Sequence, residues 1–429
     1  MLVAGAGTAG AATARACARR GLSVLCLERG PLDQAGARWV NGVPAWAFDA
    51  AGLPRPAAPE VRGAGDRFHM VAGWGPTRVT VDAAGLLDVD MRLLVARLQR
   101  DAVAAGATLR GGCAVTGFSP LRPGARVHTT DGDVRARVVV DATGLAGANL
   151  AGAPRPPRAE LCAAAQEVRA ISDPQAARDW CRAQDVAPGE TLCFTGIAGG
   201  YSIVNVRVEV GGVDPHVSIL TGSIPADGQP GGQALLDRFA AEHAWVGPTT
   251  FGGSRAIPLT PPAASLAEGP LVTLGDASSQ VFAAHGSGIA AGMIAAGQLA
   301  ELLEQGATPW DWNVRWQRTW GALVAPANHF ARFSRSLDAG ELRAVMASGL
   351  MPPGLARQTL LQHPARPRPA DLARLLRGAS RERAIARRFL PVVTTMLRLE
   401  RMYRRYPRRA GAVSAWAARR DRLLGEIPG

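Results

Sequence analysis

The chain has 429 residues, enough for about three structural units, and 47% of them are apolar, which excludes a mostly disordered chain and a polytopic membrane protein. All 48 basic residues are arginine, so Schiff-base catalysis, a P-loop lysine and a lysine general acid are unavailable. Of the net charge of +13, residues 366–429 hold +12, with 17 arginines against 5 acids, so a neutral body carries a basic tail.

The first thirty residues predict a βαβ unit. Leu2, Val3 and Ala4 form a short buried strand, Gly5-Ala-Gly7-Thr-Ala-Gly10 follows, a helix runs through Arg20 to a stop at Gly21, and the strand Ser23 to Leu27 ends in Glu28. Each glycine has a physical reason: Gly5 permits the tight turn, Gly7 lets backbone approach a pyrophosphate, and Gly10 lets helix and strand pack closely. Phosphates then sit on the helix N-terminus. Glu28 stands 18 positions beyond Gly10, where a carboxylate accepts hydrogen bonds from an adenosine ribose. Only four residues precede Gly5, fewer than the five or six usual for such a strand, so residues upstream of Met1 are expected.

Farther along, Asp90 to Ala105 reads as a helix, with Leu94, Leu98 and Ala102 on one face and Gly106 as its stop. Arg126 to Arg137 reads as a hairpin about Asp131-Gly132. Val138 to Asp141 is a buried strand running into Thr143-Gly144, a turn that points a loop at a ligand. The pattern then changes to alternating strands, Thr191 to Ile197, Tyr201 to Val210 and His216 to Thr221, with helices near Gln175 and Gln233. A buried strand at Pro270 to Leu274 leads into Gly275-Asp276, and His285-Gly286-Ser287-Gly288-Ile289 opens a long helix of small residues. Beyond Trp310 only helical periods appear. The six cysteines show no Cys-x-x-Cys pair and no histidine spacing for zinc, so no metal site is expected. With no basic leader ahead of the first strand, a cytoplasmic protein is expected.

Three separated segments, Gly5 to Gly10, Val139 to Gly144 and Gly275 to Ile289, together resemble the flavoproteins with the para-hydroxybenzoate hydroxylase type of FAD fold, nearest to their geranylgeranyl reductase-like and flavin-dependent halogenase-like branches. The resemblance spans residues 1 to about 305. It implies an α/β chain with a Rossmann-like FAD-binding domain (1–158 and 263–308); the alternating strands are then an inserted antiparallel-sheet substrate domain (159–262), and the helical periods beyond are a C-terminal helical region with a basic tail (309–429). It also implies bound FAD. Gly5, Gly7 and Gly10 would take the pyrophosphate, with Thr8 and Ala9 in the same loop, Glu28 the ribose with Arg29 beside it, and Thr143 and Gly144 the middle of the site. Asp276 would meet the ribityl chain, and Gly286, Ser287, Gly288 and Ile289 the flavin pyrimidine, where a helix N-terminus stabilises negative charge.

Departures from the group's pattern narrow the chemistry. Hydroxylases of this group typically carry Asp-Gly where this chain has Thr143-Gly144; many members of the group carry an arginine where it has Met91 with Arg92 beside it, and the usual proline of the third segment is Ala283 here. The halogenase-like members need a lysine and a Trp-x-Trp-x-Ile-Pro segment, and neither exists here. Gly200-Tyr201-Ser-Ile-Val-Asn205 instead resembles a degenerate form of the Tyr-x-Trp-x-Phe-Pro segment of the geranylgeranyl reductases.

His285 stands where a side chain can shuttle a proton beside the flavin, or simply satisfy local backbone groups. Arg38, with Trp39 and Asn41, lies in a segment that passes over the flavin in this group, where a cation would stabilise reduced flavin; an ordinary surface arginine is the other reading. Tyr201 and Asn205, four apart, share one face of a strand and are candidates for substrate contact. The expected activity is an FAD-dependent reductase or dehydrogenase of an apolar, isoprenoid-like or natural-product substrate, with NADH or NADPH as a transient electron donor. A flavin-dependent monooxygenase of an aromatic or polyketide substrate, and a non-catalytic flavoprotein or membrane-docking partner, are the alternatives. The tail alternates arginine with the stripe Ile385, Phe389, Val393, Met396, Met402, Tyr403 and Tyr406, which either packs on its own domain or touches anionic lipid at the membrane's inner face. No nucleic-acid module is present, so a nucleic-acid partner is not expected.

Overall fold

Leu2–Ala4, Val139–Asp141 and Leu271–Thr273 are short apolar runs buried on both faces, which is the signature of central parallel strands. The computed structural model, which describes residues 1–64, 66–211, 214–284 and 286–425, places them side by side in a six-stranded sheet. Its order is Ala267–Glu268, Leu271–Thr273, Val139–Asp141, Leu2–Ala4, Leu25–Leu27, Thr108–Arg110, all parallel except the first. The chain therefore leaves this sheet after Asp141 and returns to pair beside it at Leu271. Helix Thr8–Ala18 makes the first crossover and packs on helices Met91–Ala104 and Ile289–Glu304. That close packing requires Gly10, since a Cβ there would stand 1.8 Å from the Gly5 carbonyl oxygen.

The alternating pattern after residue 160 forms most of a second, seven-stranded sheet, in the order Val246–Pro258, Leu161–Ile171, His216–Ser223, Ile203–Glu209, Thr191–Thr195, Arg67–Ala72, Arg78–Asp82. Two of its strands come from the first segment of the chain, and Arg67–Ala72 pairs in parallel with Thr191–Thr195, so this sheet is mixed and reaches across the boundary drawn at residue 159. The cause is burial: Ala72, Val79 and Val81 pack with Met346 and Ala356 of the C-terminal helices and need a sheet beside them. The hairpin about Asp131-Gly132 gains a third strand, Val115–Pro120.

The helical region is anchored to the nucleotide domain. Tyr406, fully buried, donates from its hydroxyl to the Ala264 carbonyl (2.8 Å) and accepts from Asn313 Nδ2 (3.1 Å). Arg420 donates to the Pro262 carbonyl (3.0 Å). Pro391 lies inside helix Arg383–Arg404 without ending it, and that helix buries Ile385, Val392, Leu399 and Tyr403 against helix Ala322–Arg335. The predicted stripe is thus turned inward, with Val392 rather than Val393 in the core. All six cysteines are free and buried, and burial pushes the thiols of Cys17, Cys26, Cys162 and Cys193 up to about 12, so they stay protonated.

Candidate functional site

Helices Thr8–Ala18, after Gly7, and Ile289–Glu304, after Gly288, begin without a side-chain cap, so their first N–H groups are free to bind a ligand. Both N-termini open on one cavity of about 840 Å³ between the two sheets. Glycines keep it open at the first helix: Gly7 faces Gly36, and a Cβ on Gly36 would stand 3.4 Å from Gly7 Cα and 3.6 Å from the Thr8 nitrogen. An anion at this helix end meets the positive end of the dipole.

Gly5, Gly7, Thr8, Ala9, Glu28, Arg29, Thr143, Gly144, Gly275, Asp276, Gly286, Ser287, Gly288 and Ile289 all line this cavity, as do Trp39, Asn41 and Tyr201. Three sequence segments more than a hundred residues apart therefore meet on one space. The Glu28 carboxylate accepts from the nitrogens of Ala6 (2.9 Å) and Gly30 (3.3 Å), which fixes it beneath the glycine loop. Buried Asp141 accepts from the Thr143 nitrogen (3.0 Å) and hydroxyl (2.6 Å) and from the Leu150 nitrogen (2.8 Å), so it shapes the loop that Thr143 and Gly144 begin.

Three candidates are placed elsewhere. Gly10 does not line the cavity; it is consumed by helix–strand packing. Arg38 points away, its guanidinium donating to the exposed Asp33 carbonyl (2.6 Å). Asn205 also lies off the cavity. It shares a strand and a face with Ile203 and pairs with Leu220, both of which line the cavity, but it stands farther along the strand than the cavity reaches. His285 lies outside the described residues. Met91 is fully buried, and Arg92 is held by Asp90 and covers the Phe251 ring at 3.3 Å, so neither takes part.

The second sheet supplies the far wall. Cross-strand neighbours Arg255, Ala164, Gly222 and Ile203 form one row across four strands, flanked by Ile257 and Cys162 on one side and Gln166 and Leu220 on the other. Gln166 is already committed, accepting from the Val40 nitrogen (2.7 Å) and donating to Ser218 (3.1 Å). The wall is otherwise small and apolar, with one cation, Arg255, whose guanidinium also donates to the Gly36 carbonyl. Arg255, rather than Arg38, is thus the cation that the second sheet brings to the cavity. The signal available in the sequence was its isolation, a single charge in the run Gly252-Gly-Ser-Arg-Ala-Ile-Pro258, but its position depends on pairing with Leu161–Ile171. Gln99 is a further residue missed, donating to the carbonyls of Ala6 (3.0 Å) and Leu32 (2.9 Å) and so bracing the glycine loop.

Burial pushes the Asp276 carboxyl above its ordinary pKa, and the charge of Arg255 opposes that rise. Burial also raises the Tyr201 phenol well above its usual range, so it keeps its proton, which it donates to the Ala283 carbonyl (3.2 Å). Among the described residues no cluster of His, Cys, Asp and Glu is arranged to hold a metal ion, and no helix is long and apolar enough to cross a membrane.

No family model matches the chain. It is similar over its whole length, at 23% identity and across 97% of the relative, to a digeranylgeranylglycerophospholipid reductase of Sulfolobus acidocaldarius. Its fold is shared with a geranylgeranyl bacteriochlorophyll reductase-like protein of Thermoplasma acidophilum (TM-score 0.69, 16% identity, 93% of this chain and 98% of that one). It is shared also with a point mutant of halogenase PltM in complex with FAD (TM-score 0.63, 14% identity, 99% of this chain and 95% of that one).

Proposed function

We propose that this FAD-dependent oxidoreductase, a chain with the FAD-binding fold common to geranylgeranyl reductase-like proteins and flavin-dependent halogenases, works as a reductase or dehydrogenase on an apolar, isoprenoid-like or natural-product substrate. The wall of the cavity carries this reading: Cys162, Ala164, Ile203, Leu220, Gly222 and Ile257 offer apolar surface and no free hydrogen-bonding side chain to a polar substrate. The isoprenoid character of the full-length relative's substrate supports it. Lysine-dependent halogenation is not open to a chain without lysine.

The residues present fit FAD. The uncapped N-terminus of Thr8–Ala18 with Gly5, Gly7, Thr8 and Ala9 would hold the pyrophosphate, Glu28 with Arg29 the adenosine ribose, Asp276 the ribityl chain, and Gly286 to Ile289 the flavin pyrimidine. When bound there, FAD supplies two-electron transfer. The chain adds three things of its own. Arg255 and the positive end of helix Ile289–Glu304 bring positive potential to the side of the cavity where electron density collects. The small apolar side chains of the wall leave room for an apolar substrate beside those charges. Tyr201 holds a proton at its phenol oxygen beside Gly286, where a Cβ would be only 3.3 Å away. NADH or NADPH is proposed as a donor that visits and leaves.

The reading is tested by titrating the flavin-loaded protein with a polyprenyl ester and with a simple phenol, following the flavin absorbance. The polyprenyl ligand is expected to perturb the spectrum saturably and the phenol not to. Gly222→Leu should abolish that response while FAD stays bound, because the new side chain grows from between Cys162 and Ile203. A response to the phenol alone would overturn the proposal.

A further inference from the structure

Helix Arg383–Arg404 has two faces of opposite character. The inner one is core. The outer one gathers Arg383, Arg387, Leu390, Leu397, Arg398 and Arg401 within roughly a third of the circumference, along a helix of roughly 33 Å. Leu390 and Leu397, two turns apart, are 68% and 62% exposed. Each end of this leucine pair is flanked by arginines. Among the described residues no carboxylate lies within ion-pair distance of Arg383, Arg387, Arg398 or Arg401; Glu400 is turned aside and pairs with Arg404. The preceding helix, Pro369–Arg381, exposes Leu372 and Leu376 among Arg374 and Arg377. Four of the six large exposed apolar side chains among the described residues thus fall in these two helices, which rules out random scatter over the surface.

We infer that the outer face of Arg383–Arg404 docks the protein on an anionic lipid bilayer. Unpaired arginines supply attraction to a negative surface, and the leucines between them enter the boundary between headgroups and acyl chains, which is how an interfacial helix divides its side chains. This is the face opposite the stripe Ile385 to Tyr406 that the sequence suggested; that stripe is occupied by the protein's own core. A nucleic-acid partner fits less well, because no aromatic side chain stands among the exposed positions of this helix to stack on a base, and binding phosphates would leave the leucines in water. The inference stands apart from the substrate reading, since it rests on surface residues only.

The experiment is flotation of the intact, flavin-loaded chain with vesicles of phosphatidylcholine, with and without phosphatidylglycerol, over a range of salt. Binding is expected to the anionic vesicles only and to weaken as salt rises. The variant Arg383→Gln/Arg387→Gln/Arg398→Gln/Arg401→Gln should lose about fivefold in affinity per arginine removed, and Leu390→Ser/Leu397→Ser on the order of tenfold or more. All six side chains point to solvent, so flavin content and melting temperature should match the parent, and this separates lost docking from lost folding. Absence of vesicle binding at low salt, equal binding by the parent and both variants, or binding to a DNA duplex without binding to vesicles would each overturn the inference.

Discussion

The charge of Arg255 opposes the rise that burial imposes on the pKa of Asp276, linking the sheet wall to the loop after Leu271–Thr273. A carboxyl whose folded-state pKa lies above its unfolded value contributes stability that is fully present below the unfolded pKa and is lost as pH rises through the folded one. The flavin-free protein should therefore lose stability over a window that opens near the ordinary value of 3.8 and closes at the raised one. Asp276→Asn should remove that slope, and Arg255→Met should extend it to higher pH. Melting temperatures across a pH series check both; parallel curves for parent and Asp276→Asn would contradict the assignment.

Arg255 and Arg38 can be separated by potential. Replacing Arg255 with Met removes the cation of the wall and should lower the midpoint potential of bound flavin by roughly 30 mV, the two-electron equivalent of about 1.4 kcal/mol. Arg38→Met should leave the potential unchanged, because its guanidinium is spent on the Asp33 carbonyl at the surface. A dye-linked titration of both variants decides; equal shifts would contradict the placement.

The two inner glycines of the loop should behave differently. A Cβ at Gly10 would overlap the Gly5 carbonyl oxygen, and no flexible side chain is there to yield. Gly10→Ala is therefore expected to cost about 1–3 kcal/mol or more, as overpacking does, and to reduce soluble yield. A Cβ at Gly7 meets only Gly36, its Cα at 3.2 Å. Gly7→Ala should fold and lose affinity for FAD instead. Yield, melting temperature and flavin content, measured together, distinguish the two.

The pattern of what was legible follows from locality. The glycine loop, Glu28, Thr143-Gly144 and Gly286 to Ile289 are specified by a strand, a turn and a helix start that lie together in the chain, so spacing alone locates them. Arg255, Ile203 and Gly222 reach the cavity through the register between strands tens of residues apart, and a single sequence does not display register. Asn205 failed for a related reason: alternation places it on the face of Ile203, but how far along that face the cavity extends is set by tertiary packing. In the tail, the helical period was readable, but which face is inner is decided by packing on Ala322–Arg335, and the exposed leucines opposite became visible only then.

Tyr406 ties the tail to the nucleotide domain, so Tyr406→Phe should destabilise the chain by about 1–3 kcal/mol through loss of the bonds to Ala264 and Asn313. Denaturant unfolding followed by tryptophan fluorescence reads this directly. Flavin content at saturating FAD should stay intact, since Tyr406 does not line the cavity. Unchanged stability would mean that the anchor lies elsewhere.

The central claim, reduction of an apolar substrate, is tested most directly by anaerobic turnover. The flavin-loaded protein, with a chemical reductant in excess, is incubated with a polyprenyl substrate under rigorous exclusion of oxygen, and the product is weighed by mass spectrometry; a parallel sample receives isotopically labelled oxygen. The expected product carries added hydrogen pairs when oxygen is excluded, and no label when oxygen is present. Turnover only in air, with label incorporated, would contradict the claim and identify a monooxygenase.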